Sequence, residues 1–310
     1  MEFKHVPVLF NEVTEGMNIK PDGIYVDGTT GGGGHSGAIA ERLTSGHLYC
    51  FDRDTEALKA AGEHLAPYAE KISFIHDNYA NAVSVLKEKG VAGADGILLD
   101  IGVSSYQLDN PERGFSYNDD APLDMRMNRE DPLSAYEVVN DYSEEELTRI
   151  FREYGEERFA SRIAANIVKK RAKAPLQSTF DLNEVIRASI PAKMQATGGH
   201  PSKRVFQAIR IECNKELDAL SDSIDGMIDF LNPGGRLLII SFQSLEDRIV
   251  KNAFRTAENP CTCPKGLPCV CGKVSKGRVV TRHPLTAKEE ELEMNKRSKP
   301  AKLRIFEKKN

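Results

Sequence analysis

Two kinds of apolar segment are missing from this chain of 310 residues. It has no run of about 18 apolar residues, the length that a membrane-spanning helix requires. Its first residues, Met1–Pro7, lack the apolar core of a secretory signal peptide. These absences exclude a membrane-spanning helix and favour a cytoplasmic protein, so the six cysteines are expected to be reduced. Internal repeats and low-complexity segments are absent too, and a composition of 40% hydrophobic and 28% charged residues is typical of a globular protein.

The charges are unevenly distributed along the chain, although the formal net charge is only −4. Residues 158–210 contain 11 lysines and arginines but only two acids. Residues 272–310 contain 12 lysines and arginines against five glutamates. Either zone alone is typical of a solvated helix face or a charged tail. Both zones together favour nucleic acid as the partner, because clustered basic side chains bind phosphates.

Strands and helices alternate over the first hundred residues. Strands are predicted at Ile24–Asp27, Leu48–Asp52, Ile72–His76 and Gly96–Asp100. Helices are predicted at Ala38–Leu43, Thr55–His64 and Ala80–Lys89. Short, nearly continuous apolar strands separated by helices are typical of an α/β domain with a parallel sheet that is covered on both faces.

This pattern stops after Ser105 and returns near residue 205. Residues 106–132 are predicted to form a loop. Helices are predicted at Ser143–Tyr154, where Ser143 and Glu146 form a capping box, and at Phe159–Ala172 and Leu182–Ser189. A helix at Val205–Leu231, a turn at Asn232–Gly235 and a strand at Arg236–Phe242 then follow. We therefore expect a core in two parts, 1–109 and 201–310, an all-helical insertion at 110–200, and a basic C-terminal tail.

A glycine-rich turn joins the first predicted strand to the first helix. Its glycines allow positive φ angles and leave no Cβ to obstruct a ligand near a helix N-terminus. Gly32, Gly34 and Gly37 also satisfy G-x-G-x-x-G, which is a weak signal by itself. Asp27, at the end of the strand, would repel a dinucleotide pyrophosphate and attract the amine and sulfonium of S-adenosylmethionine. The turn therefore favours a methyl-donor site over a nicotinamide site.

Further polar residues follow the second and third predicted strands. Asp52 could accept hydrogen bonds from both hydroxyls of an adenosine ribose, although an acid there is also typical of a helix N-cap. Asp77 could meet the adenine amine and Tyr79 could stack on its ring. The alternative for Asp77–Tyr79 is an Asx turn beside a partly buried tyrosine.

The loop after the fourth predicted strand, Asp100–Ser105, is expected to face the reacting atoms at the carboxyl edge of the sheet. Methylation of an exocyclic amine requires acceptors that hold its N–H bonds while the lone pair points at the methyl group. Asp100, Ser104 and Ser105 can supply such acceptors, and we predict them as the catalytic residues. For Asp100 alone, the alternative is a strand-end cap.

Two C-x-C pairs, Cys261 with Cys263 and Cys269 with Cys271, lie in a segment rich in proline and glycine. Four thiolates could bind Zn²⁺, but the usual zinc knuckle is C-x-x-C. Free thiols on a surface hairpin are the favoured interpretation, so no metal is predicted. A pyrimidine-C5 nucleophile at Cys261 is disfavoured because the pair lies well past the fifth strand.

Several longer motifs carry a resemblance that covers nearly the whole chain. They are found at 5–9, Asp27–Ser36, Leu98–Ser105, Arg113–Tyr117, Pro122–Met127, Arg204–Ile211 and Ser241–Arg248. With these motifs the chain resembles the bacterial small-subunit ribosomal RNA cytosine-N4 methyltransferases of the MraW/RsmH type.

The resemblance implies a Rossmann-like S-adenosylmethionine-dependent methyltransferase core with an inserted helical domain that helps to receive RNA. The substrate it implies is a cytosine in the decoding region of 16S ribosomal RNA, within the small ribosomal subunit. Motif matches assign the S-adenosylmethionine contacts to seven residues, Gly33, Gly34, His35, Asp52, Tyr79, Asp100 and Gln107. This chain has Gln243 where the family commonly has histidine, and a glutamine cannot accept a proton at neutral pH. The oligomeric state stays open, with a homodimer as one alternative.

Two rival functions stay open at this point. A nicotinamide oxidoreductase would share the glycine turn and Asp52, but Asp27 argues against it and no histidine–aspartate pair for hydride transfer is evident. A non-catalytic RNA-binding protein could retain an old methyltransferase fold. Its glycine turn or Asp100 would then be expected to have degenerated, and both are intact.

Overall fold

The computed structural model describes residues 7–195, 199–264, 268 and 270–309, apart from the side chain of Ser105. Within these residues no helix has the length and apolar character needed to cross a membrane. Residues 5 and 6 of the N-terminal motif at 5–9 therefore lie outside the described residues, and so does Cys269. The chain divides into two compact units, Met1–Gly102 with Leu217–Asn310 and, separately, Val103–Glu216. We call them the first and the second unit.

The first unit contains one seven-stranded sheet. Its strands are β1 Ile24–Asp27, β2 His47–Asp52, β3 Ile72–His76, β4 Ala94–Asp100, β5 Leu231–Ser241, β6 Gly277–Val279 and β7 Lys302–Lys308. They lie in the order β3-β2-β1-β4-β5-β7-β6. β1 to β5 pair in parallel, whereas β7 is antiparallel to both β5 and β6. The order of the first five strands is that of a doubly wound Rossmann-like sheet, so the predicted fold class is confirmed.

Helices occupy much of the rest of the chain. They are α1 Phe10–Met17, α2 Gly34–Arg42, α3 Thr55–His64, α4 Ala82–Glu88, α5 Ser105–Asp109, α6 Ala135–Asp141, α7 Glu144–Glu153, α8 Ala160–Arg171, α9 Thr179–Ser189, α10 Ala192–Gln195, α11 Lys203–Asn214, α12 Glu216–Phe230, α13 Ser244–Glu258 and α14 Glu289–Met294. The predicted capping box is confirmed, because Ser143 Oγ accepts from Glu146 N and Ser143 N donates to the Glu146 carboxylate.

The sheet is buried on both faces because successive side chains of a strand point to opposite sides. On β4, Ile97 and Leu99 belong to one buried cluster and Leu98 belongs to another. The second unit has a separate core, to which α6, α7, α8, α9 and α11 contribute. Each unit therefore has its own hydrophobic interior.

The single helix predicted at Val205–Leu231 is wrong, since the structure has α11 and α12 with a break between them. Lys215 lies at the break with φ of 49°, in the left-handed region. Asn214, just before it, is buried, and its side chain accepts from Met127 N at 2.7 Å and donates to Met125 O at 2.8 Å. These long-range bonds hold the end of α11, and helical periodicity alone does not indicate them.

Three further predictions need correction. The segment 106–132 is not only loop, because it includes part of α5 and the 3₁₀ turn Pro111–Arg113. The helix α6, which follows this segment, was not among the predicted helices. β5 begins at Leu231, so residues 232–235 form a bulge in the strand pairing rather than a separate turn. The basic C-terminal tail is wrong over Lys302–Lys308, which form β7 inside the sheet.

Candidate active site

The glycine turn after β1 is fixed at its base and open at its tip. Thr30 donates from both its backbone N and its Oγ1 to Phe51 O, each at 3.0 Å. A Cβ added to Gly34 would lie 2.4 Å from Pro7 Cγ, whereas one added to Gly31 or Gly32 would meet nothing within 4 Å. Gly33 has φ of 81° and is the N-cap of α2. The turn therefore leaves space for a ligand beside the amino end of a helix, where backbone N–H groups favour an anionic group.

Asp27, the last residue of β1, holds this turn through its side chain. Its side chain accepts from Ser36 Oγ at 2.6 Å and from Thr29 N at 3.1 Å, and the residue is only 1% exposed. Burial raises its pKa to about 6, and the nearby charge of Asp52 adds to the shift. The oxygens of Asp27 thus hold the turn and the start of α2.

Asp52, at the end of β2, also binds the turn. Oδ2 accepts from Gly31 N at 2.8 Å and Oδ1 accepts from Asp54 N at 2.9 Å. The N-cap of α3 is Asp54, whose side chain accepts from Glu56 N, so the N-cap alternative for Asp52 is wrong. Burial raises the pKa of Asp52 to about 6. The backbone of Arg53 donates to this carboxylate as well, and a carboxylate with about four acceptor sites still has room for a ribose hydroxyl.

Asp77 and Tyr79, after β3, lie at an Asx turn beside a partly buried tyrosine, and their contacts with adenine stay a prediction. Asn78 Oδ1 accepts from Ala80 N at 3.0 Å, which is an Asx turn. Asp77 Oδ1 accepts from Asn78 N at 2.6 Å and Asn81 Nδ2 at 2.8 Å. Tyr79 is half-buried, and a Cβ added to Gly28 would lie 2.9 Å from Tyr79 Cβ. Tyr79 thus lies against the turn that follows β1, as a stacking residue at this edge would.

Asp100, at the end of β4, carries the most perturbed carboxyl group at this edge. Its backbone N donates to Thr29 Oγ1 at 2.6 Å, and its Oδ2 lies 4.0 Å from His35 Nε2. Its Oδ1 is buried without a hydrogen-bond partner among the described residues. Burial, together with the charges of Asp27 and Glu246, raises the pKa of Asp100 to about 7.

The loop after β5 brings another acid to the same edge. Glu246 is buried, and its Oε2 accepts from Phe242 N at 2.8 Å and Gln243 N at 3.0 Å. A Cβ added to Gly102 would lie 3.1 Å from the Phe242 ring, so this loop lies beside the end of β4. Glu246 lies in the motif Ser241–Arg248, but the sequence alone predicts no role for it. The signal was the spacing of Gln243 and Glu246 at a helix start, which is that of a capping box.

The structure thus brings Gly33, Gly34, His35, Asp52, Tyr79 and Asp100 to the carboxyl edge of one sheet. Parallel strands end at this edge, where open α/β sheets bind ligands. Several carboxylates with raised pKa values lie there around an open glycine turn. Such a site favours a cationic ligand, because a positive charge relieves the repulsion between the acids. The same carboxylates disfavour a pyrophosphate, because both carry negative charge.

Ser104 and Gln107 belong to the second unit, where they hold the start of α5. Gln107 N donates to Ser104 Oγ at 3.1 Å, and Ser104 N donates to Gln107 Oε1 at 3.2 Å. This capping box was not noticed in the sequence, although Ser and Gln three residues apart are its signature. The side chain of Ser105 lies outside the described residues. The catalytic roles of Asp100, Ser104 and Ser105 and the cofactor contact of Gln107 stay predictions.

Comparison with known proteins gives matches along the whole chain. The model of the MraW methylase family matches residues 2–309. A ribosomal RNA small subunit methyltransferase H from Lachnospira eligens is 60% identical over 99% of this chain and 98% of its own length. Ribosomal RNA small subunit methyltransferase H 2 from Agathobacter rectalis is 58% identical over 99% of this chain and 99% of its own length. Ribosomal RNA small subunit methyltransferase H from Clostridium botulinum strain Loch Maree is 54% identical over 99% of this chain and 100% of its own length.

Proposed function

This chain belongs to the MraW methylase family, and from that premise we propose that it transfers a methyl group from S-adenosylmethionine to N4 of a cytosine in the decoding region of 16S ribosomal RNA. The observation that carries the proposal is a group of three carboxylates with raised pKa values, the buried Asp27 and the partly buried Asp52 and Asp100, around a glycine turn with open space at Gly31 and Gly32. This arrangement suits a ligand that carries both an adenosine and a positive charge.

The residues of the first unit fit the parts of S-adenosylmethionine in turn. Asp52 would accept from the ribose hydroxyls, and Tyr79 would lie against the adenine. The N–H groups of Gly34 and His35, where α2 begins, would hold the carboxylate of the methionine part. Gly33, whose own N–H donates to Thr30 O at 2.8 Å, would lie beside that carboxylate without donating to it. Gln107 is added by motif match to the family. When bound, S-adenosylmethionine supplies an activated methyl group on a sulfonium.

Transfer to a cytosine requires that the chain position the amine and remove a proton. The N4 nitrogen forms the bond to the methyl carbon, the carbon–sulfur bond breaks, and one N4 proton has to leave. Asp100 has a buried Oδ1 and a pKa of about 7, so it can hold an N4–H bond and take up that proton. Ser104 and Ser105 would hold the other N–H bond. Gln243 cannot serve as the proton acceptor.

The RNA substrate is proposed to be an assembled or partly assembled small subunit in the cytoplasm. The basic residues of the two zones are separated along the chain, which suits a large folded RNA more than a short strand. On α8, the basic side chains of Arg162 and Lys169 are exposed and lie two helical turns apart.

Methyl transfer to isolated subunits tests the proposal directly. The full chain, labelled S-adenosylmethionine and small subunits from cells that lack this protein should give label at N4 of one cytosine, located by mass spectrometry. Asp100→Ala should abolish single-turnover methylation while S-adenosylmethionine binding falls much less. Wild-type turnover in this variant would contradict the role of Asp100. Absence of label, or binding of NADH in place of S-adenosylhomocysteine, would overturn the function itself.

A further inference from the structure

Three cysteines converge on the segment between α13 and β6. The sulfur atoms of Cys261, Cys263 and Cys271 all lie within 4.8 Å of one another. The Cys271 and Cys261 sulfurs are 3.9 Å apart. A tetrahedral ion with Zn–S bonds of about 2.3 Å sets its sulfur ligands about 3.8 Å from one another. The spacing is therefore that of ligands around one ion, although the sequence spacing differs from the common C-x-x-C knuckle.

Backbone N–H groups also point at one of these sulfurs. Val270 N donates to Cys263 Sγ at 3.4 Å. The backbone of Cys271 donates a second hydrogen bond to this sulfur. Groups that orient and stabilise thiolates in this way are a regular part of metal sites.

The base of the segment is held by one lysine. Lys276 N donates to Ala257 O at 2.9 Å, and Lys276 Nζ contacts Asp225 and Asp229 at 2.7 and 2.9 Å. Among the described residues beyond that base, Val270 is 89% exposed and Val274 is 74% exposed, so these two apolar side chains do not pack into a core. Where apolar packing is sparse, a cross-link or an ion commonly stabilises a long connection.

We propose that Cys261, Cys263 and Cys271 bind a structural Zn²⁺ ion that closes the segment between α13 and β6. Soft thiolate ligands select zinc over the hard cations Mg²⁺ and Ca²⁺. Binding deprotonates the three thiols and fixes the two ends of the segment against each other, so part of the binding free energy stabilises the folded segment. The ion has no role in methyl transfer.

Metal analysis of the full chain tests this site. The chain is purified without a histidine tag or chelator, under reducing conditions, from cells supplied with zinc. We expect about one zinc per chain, and a loss of roughly tenfold or more in zinc affinity for Cys261→Ser, Cys263→Ser or Cys271→Ser. Thr262→Ala, in the same segment, is the matched control and should retain its zinc. S-adenosylmethionine binding should be unchanged in all four variants, which shows that they are folded.

Reconstitution with Co²⁺ gives a second readout that does not depend on purification history. The acid-stripped chain should acquire the visible absorption of a tetrahedral thiolate–cobalt site, and the Cys263→Ser variant should not. The proposal is overturned if the zinc-supplied chain contains no stoichiometric zinc, or if a variant with all three cysteines replaced keeps it. Iron or copper in place of zinc, or a disulfide between Cys261 and Cys271 in the reduced preparation, would also overturn it.

Discussion

Asp52 holds the glycine turn and is expected to contact the ligand as well. Its two oxygens accept from Gly31 N and Asp54 N, so the carboxylate ties the glycine turn to the end of β2. With about four acceptor sites, the carboxylate still has room for a ribose hydroxyl. Substitution of Asp52 should therefore affect binding in two ways, through lost ligand contacts and through a looser turn.

Asp52→Ala should weaken S-adenosylmethionine binding without unfolding the protein. The loss of two charge-assisted hydrogen bonds is expected to cost about 2–3 kcal/mol, or roughly 30- to 150-fold in Kd. Calorimetric titration measures the change, and circular dichroism checks the fold. Asp52→Asn keeps one carbonyl oxygen for Gly31 N and should lose less. An unchanged Kd in Asp52→Ala would contradict the assignment.

Binding of S-adenosylmethionine should depend on pH near neutrality. Burial is the main cause that raises the pKa of Asp100 to about 7 and those of Asp27 and Asp52 to about 6. A cationic ligand favours the ionised carboxylates, so binding should release protons, and affinity should rise as the pH increases through 6 and 7. Above these values the acids are already ionised and affinity should level off.

Calorimetry at pH 6.5 in two buffers with different ionisation enthalpies measures the released protons. Asp100→Asn is the matched variant, since it removes the titration near pH 7 and keeps the size of the side chain. Its affinity should respond to pH mainly near 6. Affinity that is independent of pH between 5.5 and 8 would show that the site does not bind through the charges of these acids.

Much of the candidate site could be predicted because it depends on local pattern. Asp27, Asp52 and Asp100 end apolar segments, and parallel strands bring their carboxyl ends to one edge, so the convergence of these acids follows from topology. Glu246 was missed because its contacts with Phe242 N and Gln243 N form a local cap whose approach to Asp100 depends on the pairing of β4 with β5. The pKa shifts likewise depend on burial, which a pattern of residues does not quantify.

At the scale of elements, two motifs that the resemblance singled out are joined by one buried arginine. Arg113 has no exposed surface, and its Nη2 donates to Arg126 O at 2.9 Å and Met127 O at 3.0 Å. Gly114 has φ of 70°, and a Cβ there would lie 2.3 Å from Pro122 O. The segments 113–115 and 122–127 therefore form one folded piece of the second unit, although the sequence between them reads as loop.

Replacement of this arginine should destabilise the second unit. Arg113→Met keeps much of the volume but removes two hydrogen bonds from a charged donor, each worth about 1.5–3 kcal/mol. We expect the midpoint of thermal unfolding to fall by roughly 6–24 °C, because the two bonds together are worth about 3–6 kcal/mol and about 1 kcal/mol shifts Tm by about 2–4 °C in a domain of 150–250 residues. Differential scanning calorimetry measures it.

Arg162→Met is the control for this substitution, since Arg162 is exposed on α8. Its Tm should change little, because exposed substitutions are usually within about 0.5 kcal/mol. Equal shifts in the two variants would show that the carbonyl contacts of Arg113 do not stabilise the unit.

Some elements have bounds that local sequence patterns predict, whereas the bounds of others depend on contacts with residues far along the chain. α3 and β3 were predicted at their observed bounds, because capping and alternation identify them. The division of α11 from α12 depends on Asn214 and its bonds to Met125 and Met127, some 90 residues earlier. β7 was missed because its charged residues were interpreted as a tail, whereas Arg304 is buried and paired with Asp247 at 2.6 Å.

Over the whole molecule, the basic residues fall into two classes, those that stabilise the fold and those that are exposed to solvent. Some hold the fold, as Arg171 does by donating to Val139 O and Tyr142 O, and Arg210 by its pair with Glu216 at 2.8 Å. Others are exposed along α8 at helical spacing, namely Arg162 and Lys169. Only the second class can bind phosphates without loss of stability, so a count of charges in the sequence overstates the RNA-binding surface.

Charge reversal at Arg162 and Lys169 should therefore weaken RNA binding and flatten its salt dependence. Each phosphate contact contributes about 0.9 to the slope of log affinity against log salt for a duplex, so loss of two contacts should reduce the slope by roughly 1.8. The double variant Arg162→Glu, Lys169→Glu and the wild type are compared on small subunits at several salt concentrations. The affinity for S-adenosylmethionine is the control, and it should stay unchanged because its proposed contacts, Gln107 excepted, lie in the first unit. An unaltered RNA salt slope would mean that this face of α8 is only solvated, and that the RNA is bound by other basic residues.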